Sequence, residues 1–129
     1  MAKKRFELTE AEWTIMKIIW DKEPCTAPDV YEALQSRTDW AYSTVRTIMD
    51  RMVAKDLLSA QKTSKVTVFK SAITREQAQR GELLYALKNA FSGALRPMVQ
   101  CLLDTGDLSA RELDELEALI RRKKKESKE

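Results

Sequence analysis

Apolar side chains recur at helical spacing along most of this chain and at strand spacing in only one place. Trp13, Met16, Ile19 and Trp20 follow the run Leu8-Thr9-Glu10-Ala11-Glu12 at helical period, which predicts a first helix. Thr9 caps it, Glu12 completes a capping box, and Leu8 and Trp13 form the accompanying staple. Pro24 places its end near residues 21–23, because the residue before a proline leaves the helical region. Thr26-Ala27-Pro28-Asp29 opens a short second helix with Thr26 as cap, Pro28 in the first turn, and Val30, Ala33 and Leu34 facing inward. It is expected to end around residues 35–38. A third helix begins at Ser43, read as its N-cap, and buries Val45, Ile48, Met49 and Met52. Asp56 ends it, since Asp tolerates a left-handed backbone better than most residues.

Residues 57–61 and 66–70 are the β-like segments. Val66-Thr67-Val68-Phe69 is β-branched and aromatic, and the polar Lys62-Thr63-Ser64-Lys65 can turn, so the pair reads as one hairpin. Helical spacing then resumes. Thr74 and Gln77 box the start of a long helix lined by Leu83, Leu84, Leu87, Ala90 and Phe91, with Gly93 near its end marking a stop or a close approach. Residues 95–103 form a further helix with Pro97 in its first turn. Ser109 and Glu112 box a last one, stapled by Leu108 and Leu113 and carried on by Leu116 and Ile120; residues 123–129 should fray. Three helices followed by a hairpin is the winged form of helix-turn-helix. The expected fold is therefore mainly α: a winged helix over residues 1–73, then a helical region over 74–129 with a basic tail.

Composition narrows the chemistry. The 129 residues are 43% hydrophobic and 33% charged, with three Gly and three Pro, which is the balance of a helical globular chain. No run of 18 apolar residues is present, and the first residues lack an apolar core, so neither membrane insertion nor a secretory leader is expected and the chain is read as cytoplasmic. His is absent, which excludes Ser-His-Asp and Cys-His catalysis and His-ligated metal. The two cysteines, Cys25 and Cys101, are far apart, and no phosphate-cradling glycine loop occurs. No enzyme, cofactor or metal site is expected. Cys101 lies in an apolar helix and is read as a small buried hydrophobe; Cys25 is expected to pack against Val30. Trp13, Trp20 and Trp40 are read as core.

The net charge is only +3, but it is uneven. Cations gather at Lys3-Lys4-Arg5, through the middle of the chain and in residues 121–129, with acids between. A basic middle segment points to an anionic partner. On the third helix, Thr44, Arg46 and Thr47 stand where recognition side chains meet base edges: Arg grips guanine through two hydrogen bonds, and a Thr methyl packs on thymine. Tyr42 and Ser43 precede them. Arg51 and Lys55, and Lys62 and Lys65 at the wing tip, suit phosphates. The later helices carry more apolar side chains than an isolated appendage can hide: Leu83, Leu87, Phe91, Leu95, Met98, Val99, Leu102, Leu103, Leu113, Leu116 and Ile120. A second copy of the chain would bury them, and a symmetric dimer matches a palindromic operator.

The segments Leu8-Thr9-Glu10-Ala11-Glu12-Trp13 with Met16, Ile19 and Trp20, Asp39-Trp40-Ala41-Tyr42-Ser43-Thr44-Val45-Arg46-Thr47 with Arg51-Met52, and Phe91-Ser92-Gly93-Ala94-Leu95 with Met98-Val99 together resemble the penicillinase-repressor family, the BlaI, MecI and CopY type of bacterial repressor. The resemblance covers nearly the whole chain. It implies a homodimeric repressor whose winged helix binds a palindromic operator. In the antibiotic branch it also implies a membrane sensor-protease system as partner and a cut in the dimerisation half, matching Cys101-Leu102 here. The chain departs from the family at Gln100-Cys101-Leu102, where well-known members carry an Asn-Phe pair. Asp56 stands where Gly is usual, Tyr42-Ser43 replaces a common Pro-Lys, and Arg121-Arg122-Lys123-Lys124-Lys125 takes the place of the copper branch's cysteine cluster. Two other functions fit the residues: a winged-helix protein–protein adaptor, and a nonspecific DNA-binding architectural protein. Sequence-selective, salt-sensitive DNA binding separates the first reading from both.

Overall fold

The structure is a computed structural model that describes residues 7–128. Lys3-Lys4-Arg5 and Glu129 lie outside the described residues. The element order is α1 (Glu10–Lys22), α2 (Ala27–Leu34), α3 (Tyr42–Ala54), β1 (Leu58–Lys62), β2 (Thr67–Ser71), α4 (Arg75–Ala90), α5 (Leu95–Thr105) and α6 (Ala110–Ser127). The mainly helical winged helix-turn-helix expected from the pattern is the fold observed. The chain divides into two compact units, the first ending at Ala86 and the second beginning at Leu87.

In the first unit the capping chemistry is as the sequence dictates. The Thr9 hydroxyl accepts from the Glu12 amide while the Glu12 carboxylate accepts from the Thr9 amide, and Thr26 and Asp29 do the same for α2. Helices α1, α2 and α3 pack on one another and on the hairpin. Their shared core comprises Ile15, Met16, Ile19, Val30, Leu34, Val45, Met49 and Met52, closed by Leu57, Leu58 and Phe69, all buried. Ala78 in the second turn of α4 is buried in the same core, so this helix begins as part of the first unit. Phe69 is fully buried, and such a side chain contributes about 1.5–3 kcal/mol by leaving water. Trp13, Trp20 and Trp40 are half-buried against the core. The Trp20 indole N–H donates to the Ile73 carbonyl at 3.1 Å.

Helix α3 stops as Asp56 predicts. Asp56 has φ 63. Its amide donates to Val53 and that of Leu57 to Met52, the paired bonds of a Schellman ending. The hairpin pairs Leu58 with Ser71 through Lys62 with Thr67, and Thr63 closes its turn by bonding the Val66 carbonyl through both amide and hydroxyl. Cys25 does more than pack. Its amide donates to the Phe69 carbonyl at 3.1 Å and its carbonyl accepts from the Phe69 amide at 2.7 Å. The loop between α1 and α2 thus adds one rung to the hairpin. Burial pushes the Cys25 thiol upward, with Asp29 and Glu23 adding to the effect.

In the second unit α6 carries the expected Ser109–Glu112 box. After α4, Gly93 has φ 81 and its amide donates to the Leu87 carbonyl, which makes the turn a glycine position. Helix α6 stays regular to Ser127 rather than fraying at 123, because Arg121–Glu117 and Lys123–Glu126 pairs span its last turns. Neither α5 nor α6 has a buried residue. Leu95, Val99, Leu102, Leu103, Leu113, Leu119 and Ile120 are exposed. Cys101, expected to be buried as a small hydrophobe, is exposed on the same helix as Leu95, Val99, Leu102 and Leu103.

Candidate nucleic-acid interface

The third helix starts one residue earlier than its hydroxyls imply. Ala41 is the N-cap and makes no side-chain capping bond, so Ser43, expected as the cap, is a residue of the first turn. Without a capping side chain, the Tyr42 and Ser43 amides lack intrahelical acceptors and face outward at the positive end of the helix dipole, where an anion is favoured. Tyr42 is 40% exposed and stands edge-on to Tyr31, ring centres 5.8 Å apart. It is therefore anchored by α2 while its edge remains in solvent.

The buried stripe of Val45, Met49 and Met52 fixes which side of α3 looks outward. At 3.6 residues per turn, Ser43, Thr47 and Asp50 lie opposite it, with Arg46 on one flank and Thr44 and Arg51 on the other. Ser43, Thr44, Thr47, Asp50 and Arg51 are exposed, and Arg46 is half-buried. The Arg46 Nε donates to both oxygens of Asp50, at 3.2 and 3.4 Å, and its guanidinium carbon lies 5.4 Å from the centre of the Phe69 ring. Arg51 makes no ion pair among the described residues. Lys62 ends β1 and Lys65 lies in the hairpin turn, both exposed.

Lys55 stands apart from this set. Its Nζ lies 2.8 and 2.9 Å from the two oxygens of Glu12, a buried carboxylate, and 3.4 Å from the Glu7 carbonyl. The end of α3 is thereby tied to the start of α1. Sequence spacing held no sign of this pair, whose partners are 43 residues apart. It likewise held none of the Cys25–Phe69 rung. The Arg46–Asp50 pair did leave a signal, opposite charges four residues apart on one helix.

The candidate site offers a polar helix face with donors, acceptors and methyl groups, and the hairpin carries two exposed lysines. The chain as a whole matches the penicillinase repressor family over residues 8–122. The chain belongs to that family. Methicillin resistance regulatory protein MecI of Staphylococcus aureus (strain N315) is 27% identical over 123 residues, 95% of this chain and 100% of its own length. The penicillinase repressor of Bacillus licheniformis is 27% identical over 127 residues, covering 98% of this chain and 99% of its own. Among solved structures, the DNA-binding domain of the repressor BlaI matches with a TM-score of 0.52 at 26% identity, over 59% of this chain and 93% of that one. The Bacillus licheniformis BlaI monomer in complex with the blaP half-operator matches with a TM-score of 0.51, also at 26% identity and over the same shares. Of these relatives, one is a regulatory protein and the others are repressors, and BlaI is seen on a half-operator. Among the described residues, no helix is long and apolar enough to cross a membrane, and no group of His, Cys, Asp and Glu is placed to hold a metal ion.

Proposed function

We propose that this protein is a transcriptional repressor that binds a palindromic operator as a homodimer. The observation that carries the reading is the outward face of α3, in a chain matched to the repressor family over residues 8–122. Thr44, Arg46 and Thr47 read base edges in the major groove. Tyr42, Ser43 and Arg51 hold phosphates beside it, and Lys62 and Lys65 do so from the wing. Lys55 supports the same surface from behind, through Glu12.

Dimerisation accounts for the second unit. Isolated apolar patches of this extent on α5 and α6 are unusual for a monomer. Leu83, Leu87, Phe91, Leu95, Met98, Val99, Leu102, Leu113, Leu116 and Ile120 supply the contact in this reading, which makes residues 74–129 the dimerisation region. A cut by a membrane sensor-protease system at Cys101-Leu102 would separate the two readers and relieve repression. Both residues are exposed in the single chain.

Selection of bound duplexes from a random pool by the purified chain tests the reading. The expected product is an inverted repeat with half-sites one or two helical turns apart. Sedimentation equilibrium of the free protein should give twice the 14.8 kDa chain mass. A selected pool as random as the input, or a monomer both free and bound, contradicts it.

A further inference from the structure

Arg46 is held on two sides. The Phe69 ring supports its guanidinium at 5.4 Å from the hairpin, and Phe69 is itself fully buried and paired to Cys25 through its backbone. From its own helix, Asp50 takes the Nε–H with both carboxylate oxygens. Both bonds use Nε. Nη1 and Nη2 carry no hydrogen bond among the described residues. An arginine so bound can offer a base only its far edge, the two Nη groups end-on, and that edge matches guanine O6 and N7. The alternative fork, which uses Nε and one Nη, is closed.

The carboxylate also changes what the outward face accepts. Asp50 is 57% exposed in its side chain and lies beside Thr47 on the surface opposite the buried stripe. An ionised carboxylate is an acceptor only. It repels phosphate and offers nothing to the acceptor edge of a wrong base. An anion at the centre of a DNA-reading face therefore lowers the sequence-independent part of the affinity for every duplex, and its effect on sequence runs through Arg46.

We propose that Asp50 is a specificity-determining positioning residue, which fixes Arg46 end-on toward one guanine in each half-site and weakens binding to all other DNA. This rests on the DNA-binding reading above. The test compares binding of the full chain, by fluorescence anisotropy at one salt concentration, to the duplex it selects, to single-base-pair variants of that duplex and to a scrambled duplex. Arg46→Ala should lower the preference at one G·C pair per half-site about tenfold. Asp50→Ala should flatten the preference at that same pair about tenfold and tighten binding to the scrambled duplex. Asp50→Glu, which can still reach Arg46, should restore the preference. In the Arg46→Ala background, Asp50→Ala should change that pair no further, the signature of two residues acting as one.

Two results would overturn the proposal. In one, Asp50→Ala tightens every duplex by the same factor with the preference intact, which makes Asp50 a repelling charge only. In the other, its effect falls at a base pair that Arg46→Ala leaves untouched. Asp50→Leu, of similar size and without an acceptor, gives the same comparison if Asp50→Ala fails to fold. A wild-type chain that selects no sequence overturns the DNA-binding reading itself, before any variant is made.

Discussion

The Lys55 ammonium and the Glu12 carboxylate show how one contact can redirect a residue's role. A lysine at the end of a reading helix suits phosphate, yet this one is held at 2.8 Å by a buried acid that also caps α1. Removing it leaves Glu12 charged and buried with its capping bond alone. Lys55→Met should therefore destabilise the chain by about 1–2 kcal/mol in urea unfolding, discounted for the exposed lysine. It should leave the salt dependence of DNA binding nearly unchanged. Lys62→Ala should do the reverse: stability kept, and the salt slope lowered by about one. A Lys55→Met variant with wild-type stability and a reduced slope would make Lys55 a phosphate contact. The residues that could be read from sequence were those whose partners lie within a helical turn, such as Thr9 with Glu12. Lys55 could not be, because its partner is set by the packing of α1 against α3.

At the scale of elements, caps and stops were legible because they are local. Pro28, Thr26 and Asp29 define the start of α2, and Asp56 the end of α3, from a few adjacent side chains. The start of α3 was misplaced onto Ser43 for the same reason: a hydroxyl is the usual cap, and Ala41 gives no signal. The Cys25 rung was hidden because a single bridge carries no period. Asp56 occupies a left-handed position, φ 63, that Gly takes without strain. Asp56→Gly should raise stability by about 0.5–1 kcal/mol in thermal unfolding; a loss would show that its side chain contributes more than its backbone suffers. Asp29 is held below its ordinary range mainly by the Thr26 amide and then by the Thr26 hydroxyl. A carboxylate so depressed stabilises the fold above its unfolded pKa, near 3.8, and loses that contribution as pH falls through the folded value. Asp29→Asn should therefore lower stability at neutral pH and shrink the difference from wild type at the acid end of a pH series of thermal melts. A difference constant with pH would contradict this origin.

The first unit has a buried core, whereas α5 and α6 of the second have no buried residue. A surplus of leucines in the last third of the sequence marked this much, but periodicity cannot say whether such a face meets its own chain or another. That is why Cys101 was expected inside and is found exposed. If a second copy covers these faces, Ile120→Glu, at a side chain now 57% exposed, should leave the melting of the first unit unchanged. It should weaken self-association by tenfold or more in sedimentation equilibrium. Unchanged self-association would move the interface away from α6. Under the proposed function, this fold reads DNA sequence as a symmetric pair. DNase footprinting of the purified chain across fragments of the genome that encodes it, with excess competitor DNA, decides whether it does. The expected footprint is a few discrete protected sites, each an inverted repeat with half-sites a whole number of turns apart and a guanine facing Arg46. Protection spread over all fragments, or lost altogether under competitor, would contradict it.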